Sequence, residues 1–340
     1  MAELVTFGEL MLRLSPQGYY ALLQNEILVA TYAGGEANVA VSASNYGVDT
    51  AFVTKLPDNP IGEGAIRTLR SYGVNTNSIV RGGRRMGVFF VERGASQRPS
   101  RVIYDRECSA IAEAKPEEFD WPAILAGCSW FHFTGITPAL SDDLITATAD
   151  ACQVAKENGA VVSCDLNYRG KLWSTEKAGR VMAGLMPYVD VCIANEEDAA
   201  KVFGIYPENS NIENGILSRE GYIDVARKLK ERFDFKKVAI TLRKSFSSSD
   251  NGWSAMLLDG EEAFFSREYS IHVVDRVGGG DSFGGALIYA LMRSYSPQNA
   301  IEFATAASCL KHSYEGDFNQ ASLQDVLNLL KSGGSGRIQR

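Results

Sequence analysis

Apolar runs alternate with amphipathic stretches along most of this chain. Runs at 3–7, 50–55, 129–134, 160–166, 189–194 and 236–242 predict strands, and the stretches 36–46, 61–72, 141–158, 175–186, 196–203 and 218–232 predict helices between them. Ala160-Val161-Val162-Ser163-Cys164 and Val189-Asp190-Val191-Cys192-Ile193 are apolar without clear alternation, as expected of strands covered on both faces of a parallel sheet. Strand–helix–strand repetition therefore predicts an α/β sandwich with right-handed crossovers. The last third changes character. A strand pair around 252–266, joined through the hairpin dipeptide Asp259-Gly260, precedes helices near 280–293, 297–313 and 322–331.

Two segments, 11–33 and 84–107, break the alternation and read as paired short strands. In the second, Val102, Tyr104 and Arg106 share one face, because strand side chains repeat every two residues. Such a face on a small sheet outside the core fits a lid over a site, and equally an ordinary surface hairpin. The predicted organisation is a core of 1–10, 34–83 and 108–331, a β-sheet lid of 11–33 and 84–107, and a flexible tail at 332–340. The polar, Asn-rich stretch 205–217 reads as a surface loop.

Composition narrows the function classes. Hydrophobic residues at 45% and charged residues at 22% exclude disorder, and no run reaches the roughly 20 apolar residues of a membrane span. The opening MAELVTFGEL has no signal-peptide pattern and reads as a strand. Thirty-four basic against 41 acidic residues, a net charge of −7, argues against non-specific nucleic-acid binding while leaving room for a local basic pocket. Six cysteines form no C-x-x-C pair and read as reduced, buried thiols of a cytoplasmic protein. His132, His272 and His312 have no ligand spacing with them, so no zinc site is expected.

The strongest chemical signal is Asp275-Arg276-Val277-Gly278-Gly279-Gly280-Asp281-Ser282-Phe283. Three glycines let backbone N–H groups converge, and the helix that follows adds unpaired amides and a positive dipole end, which together make an anion cradle. Asp281 at its edge is placed to accept a proton from an attacking hydroxyl, or else to cap the helix. A second signal, Ala33-Gly34-Gly35-Glu36-Ala37-Asn38, permits close backbone approach to a ligand and offers Asn38 as donor and acceptor, although a plain strand-to-helix turn fits equally. Neither motif is a P-loop or a dinucleotide fingerprint. Arg169 lies just past the 160–166 strand, at the end where open α/β sheets bind ligands, and Arg106 occupies the lid face. Arginine forks suit a carboxylate or a phosphate, so an acidic small molecule is expected; either arginine alone also fits a solvated surface.

Gly34-Gly35-x-x-Asn38 near the start and Asp275-x-x-Gly278-Gly279-Gly280-Asp281-x-Phe283 near the end resemble the two signatures of the ribokinase-like (PfkB) sugar kinases, across essentially the whole chain. Within that family the chain is most similar to 2-keto-3-deoxygluconate kinases. That likeness rests on Gly8-Glu9-Leu10-Met11-Leu12-Arg13-Leu14, Tyr104-Asp105-Arg106, Asp165-Leu166-Asn167-Tyr168-Arg169 with Leu172-Trp173, and Thr241-Leu242-Arg243. The resemblance implies a three-layer αβα sandwich with a mostly parallel central sheet and a β-sheet lid that pairs in a homo-oligomer. It implies ATP with Mg²⁺ phosphorylating the 6-hydroxyl of 2-dehydro-3-deoxy-D-gluconate. Asp281 would be the base, and the amides of Gly278, Gly279, Gly280 and Asp281 the anion hole. Gly34, Gly35, Asn38, Tyr104, Arg106, Arg169 and Asp275 would meet the sugar acid; Asp275 also reads as a turn residue. Asn195, Thr241 and Arg243 would border the nucleotide. In Asn195-Glu196-Glu197-Asp198, Asp198 would serve Mg²⁺ where relatives carry glutamate, although acids in a helix's first turn read the same way. Gly279 replaces a common alanine, a change expected to be tolerated because both are small. Another sugar kinase such as a fructokinase, or a sugar-binding regulator without catalysis, remains the alternative.

Overall fold

Six parallel strands run side by side in the order Thr50–Val53, Leu4–Phe7, Trp130–Thr134, Val161–Asp165, Val191–Asn195 and Lys237–Ser245. They belong to a computed structural model that describes residues 2–24, 26–195, 197–208 and 218–332. Beyond them the sheet turns antiparallel through Asp250–Asp259, which pairs with both Glu262–Phe265 and Tyr269–His272. The expected hairpin is present, with left-handed Gly260 (φ 60°) after Asp259. Parts of the predicted loop 205–217 and tail 332–340, and Glu196, lie outside the described residues.

Both faces of the sheet are covered, which is why its strands read as unbroken apolar runs. Cys192 and Ala194 pack with the helices Asp142–Glu157, Thr175–Leu185 and Arg219–Phe233. Val191 and Ile193 pack with Gly35–Asn45, Gly279–Met292 and Pro297–Lys311. The expected three-layer αβα sandwich results. Helix starts follow local chemistry: Ser141, Ser174, Ser218 and Ser296 each cap with the side-chain hydroxyl accepting from a first-turn amide.

The segments outside the alternation form one four-stranded sheet, in the order Leu28–Ala33, Met11–Pro16, Val88–Glu92 and Arg101–Asp105. Met11–Pro16 and Val88–Glu92 pair in parallel, so two hairpin-like segments far apart in sequence become a single small sheet. Its inner face sets Met11, Phe89 and Val91 against Val102 and Val277, the latter from the glycine-rich stretch. The lid sheet therefore packs directly beside the predicted anion cradle. Among the described residues no helix is long and apolar enough to cross a membrane.

Candidate active site

A cleft of about 440 Å³, partly open to solvent, lies at the C-terminal ends of the parallel strands. Open α/β sheets offer ligands that end, since loops there can converge without interrupting the sheet. The strand ends supply Asp165, Asn195 and Thr241, and the following loops supply Asn167 and Arg169. The lid supplies Val102 and Tyr104. The floor is Gly278, Gly280 and Asp281, with Arg243, Arg276 and His312 beside them.

The floor has its shape because of glycine. Gly278 is left-handed at φ 82° and caps the helix Gly279–Met292. A side chain there would run into the carbonyl oxygen of Asp317. The Gly279 amide donates to the Arg276 carbonyl at 3.2 Å, so one of the four amides expected in the hole is already engaged. Among the described residues the amides of Gly278, Gly280 and Asp281 have no protein acceptor. Gly280 is exposed and faces open space, where an anion can approach. Glycine at 279, where relatives commonly carry alanine, suits its surroundings in this chain: a Cβ there would lie 2.5 Å from His312 Cε1. That space is filled because His312 is buried, bonded through Nδ1 to the Ser308 carbonyl and set against Trp253.

Asp281 is not the helix cap, because Gly278 holds that place. Its Oδ2 instead accepts from Asn38 Nδ2 at 2.6 Å, which brings the two glycine signatures together. Gly34 caps the helix Gly35–Asn45, and the Asn38 Oδ1 accepts from the Gly34 amide. A side chain on Gly34 would strike the Glu9 carbonyl, whereas a Cβ on Gly35 would make only ordinary contacts, with Thr134 Cγ2 and Asp281 Oδ1. Burial raises the Asp281 carboxyl to about 6, against the opposing pull of the Asn38 bond and the Arg169 charge. A carboxylate with that value is a usable base near neutral pH.

Other expected residues stand one layer back. Asp275 is buried behind the glycine turn: Oδ2 pairs with Arg13 Nη2 at 2.5 Å and accepts from the Gly316 amide, and Oδ1 accepts from the Val277 amide. Both carboxylate oxygens of Asp198 accept backbone amides, from Tyr168 and Asn195, each at 3.2 Å. Asp198 thus braces the Asn195 loop. Arg106 lies just past its strand, with Cζ 4.3 Å from the Tyr104 ring centroid and Nε 3.4 Å from the buried Glu9 Oε2. Tyr104 itself stacks on Phe89 at 5.9 Å.

Several cleft groups carried no separate signal in the sequence. Asp165 sat inside a quoted motif, yet its carboxyl is pushed well above the usual range by burial and by the nearby Asp198 and Asp281 charges. Arg276 lies between two motif positions, and burial and Arg243 depress it. Glu36, inside the first glycine signature, is buried and takes bonds from the hydroxyls of Thr134 and Thr137, both at 2.7 Å. It holds the end of the central strand Trp130–Thr134 to that helix. Three guanidinium groups, a glycine turn with free amides and a raised carboxyl around one cleft suit transfer of a phosphoryl group to an alcohol.

Residues 1–322 match the model of the pfkB family of carbohydrate kinases. The chain is 34% identical over 335 residues to 2-dehydro-3-deoxygalactonokinase of Haloferax volcanii, covering 98% of each protein. It is 27% identical to 2-dehydro-3-deoxygluconokinase of Thermoproteus tenax, covering 98% of this chain and 95% of the relative. The crystal structure of 2-dehydro-3-deoxygluconokinase from Thermotoga maritima superposes with a TM-score of 0.94 at 50% identity, over 97% of this chain and 100% of that one.

Proposed function

The chain belongs to the pfkB family of carbohydrate kinases, and from that premise we propose that it is a sugar-acid kinase that transfers the γ-phosphoryl group of ATP to the 6-hydroxyl of 2-dehydro-3-deoxy-D-gluconate. The observation that carries the reading is the free-amide glycine turn beside a carboxyl raised to about 6. Its substrate class follows the names of the similar proteins above and the cationic lining of Arg169, Arg243 and Arg276.

In this reading the sugar acid lies between the lid and the strand ends, against Tyr104 and Arg169. Asp281 accepts the proton of the 6-hydroxyl as its oxygen attacks phosphorus. The amides of Gly278, Gly280 and Asp281 meet the charge on the phosphoryl oxygens, and no reorganisation is needed at the moment of transfer. Asn38 fixes the rotamer of the base. Asn195, Thr241 and Arg243 border the nucleotide. Mg²⁺ keeps several waters and takes few protein carboxylates, which suits a cleft lined by the part-buried Asp165 and Asn195, while the Asp198 carboxylate is occupied by the Tyr168 and Asn195 amides. When bound it would offset phosphate charge.

The Tyr104–Arg106 pair gives the reading a test. In a panel of sugars with Mg-ATP, the 2-dehydro-3-deoxy sugar acid is expected to be preferred over fructose. Arg106→Ala removes the guanidinium that packs on the Tyr104 ring, and is then expected to raise KM for the sugar acid up to roughly 10-fold, with KM for ATP nearly unchanged. Fructose preference, or an equal rise in both KM values, overturns the assignment. Including the galactonate epimer tests the substrate printed for the Haloferax relative.

The outer face of the lid carries a cross-strand apolar row, Ala30, Leu14, Phe90 and Ile103, with Ile103 53% exposed. A second copy of the chain covers it in our reading, because an apolar sheet face of this kind is unstable in water. Phe90→Asp is expected to convert a dimer into a monomer in sedimentation experiments; a wild-type monomer removes the proposal.

A further inference from the structure

Lys311 closes the helix Pro297–Lys311 and is fully buried, which is rare for an ammonium group. Its Nζ donates to the Asp275 main-chain carbonyl at 3.0 Å. The same helix end grips the glycine turn twice more. Ser308 Oγ donates to the Gly279 carbonyl at 2.7 Å, and the His312 carbonyl accepts from the Val274 amide at 2.8 Å. Residues 308–312 therefore hold 274–279, the segment that leads into the free amides of Gly278, Gly280 and Asp281.

Burying a lysine for one hydrogen bond is unfavourable, so its charge must be matched. The groups around it come from every neighbouring element: Arg13 from the lid strand Met11–Pro16, Asp275 from the turn, Asp317 from the loop below it, and Asp281 from the following helix. Its chain neighbour His312 is buried beside it and held down to about 4 by burial. Arg13 and Lys311 balance Asp275 and Asp317. We propose that Lys311 is a positioning residue for the transfer step, which holds the anion-hole main chain from beneath and supplies a fixed positive charge to Asp281 and the arriving phosphoryl oxygens. This rests on the proposal that Asp281 is the base at that turn.

The charge has a consequence that a packing role lacks. Asp281 also faces Asn38, Glu36, Asp165 and Arg169, and Lys311 is among the cations that favour its ionised form. Without the Lys311 charge, Asp281 holds its proton to higher pH. The acid limb of kcat/KM should then move upward. Lys311→Met and Lys311→Gln, assayed with Mg-ATP and the sugar acid, are expected to lower kcat roughly 10–100-fold. Their acid limb is expected to rise by roughly half a unit to one unit. Lys311→Arg keeps the charge and is expected to keep the wild-type limb whatever its kcat. An unmoved limb in the neutral variants, or a raised one in the arginine variant, overturns the role. Should neither neutral variant fold, the arginine variant alone still decides. Wild-type inactivity on sugar acids, or normal turnover by Asp281→Asn, would instead overturn the reading beneath it.

Discussion

Asp281→Asn is expected to reduce kcat for the sugar acid by roughly 10²–10⁴-fold, the usual worth of a positioned general base, while ATP affinity stays close to wild type. The substitution is nearly isosteric, and the new side-chain carbonyl can still accept from Asn38 Nδ2, so the geometry that now measures 2.6 Å is largely kept. What disappears is the carboxylate proposed to take the proton. The pH profile adds a second readout. Burial raises the Asp281 carboxyl to about 6, and the base works only when ionised. Wild-type kcat/KM should therefore fall as pH drops through about 6, and the residual activity of the variant should lack that limb. Near-normal turnover, or an identical acid limb in the variant, contradicts the role. Nucleotide binding followed by calorimetry separates loss of chemistry from loss of the site.

Arg13→Met is the second large effect, and it is felt in stability first. The Arg13 guanidinium is 3% exposed, bonds Asp275 at 2.5 Å and Asp317 at closer range, and donates through Nε to Ser15 Oγ. Methionine fills much of the volume but leaves two buried carboxylates without their shared cation. Breaking a buried ion pair from one side costs about 3–5 kcal/mol. For a chain of this length that corresponds to a melting temperature lower by roughly 4–8 °C. The deficit should shrink as pH falls. Burial already holds the Asp317 carboxyl up at about 6 even with Arg13 present, and removing Arg13 pushes it higher still. A carboxyl whose folded value lies above its unfolded one gains stability from protonation, so the variant recovers relative to wild type between pH 8 and pH 5. Arg13→Lys retains charge with fewer donors and should fall between the two. A melting temperature within a degree of wild type at pH 8, or a deficit that does not shrink towards pH 5, sinks the account. Because Arg13 belongs to the lid and its partners to the core, the same variant should also weaken the seating of the lid beside Val277.

The triple Gly278-Gly279-Gly280 was legible because its turn is local. A left-handed cap and an unobstructed row of amides depend on residues adjacent in sequence. The parallel sheet itself was similarly legible in outline, since two-sided burial leaves apolar runs with no alternation. Asp198 shows the limit. Its acidic character and its place after a strand were visible, but which backbone amides its two oxygens would take depended on how the Tyr168 loop folds over it. Gly279 shows another: glycine there read as a tolerated departure from alanine, and only the fold shows that His312, from the end of a later helix, takes the room a Cβ would need.

Arg13 reads in the sequence as one polar residue in an apolar lid strand, and Lys311 as a cation in the last turn of a helix, where the dipole favours one on the surface. Only folding puts them together under the glycine turn, with carboxylates from two other segments. By itself the amino-acid order determined the layered architecture, which follows from periodicity, and the glycine turn, which follows from short-range backbone geometry; it pointed to Asp281 only through its place beside that turn and its family resemblance. The tertiary structure decided which charges are buried, what each carboxylate is tied to and how strongly Asp281 holds its proton, because desolvation and Coulomb forces depend on distances between residues up to 304 positions apart in the chain.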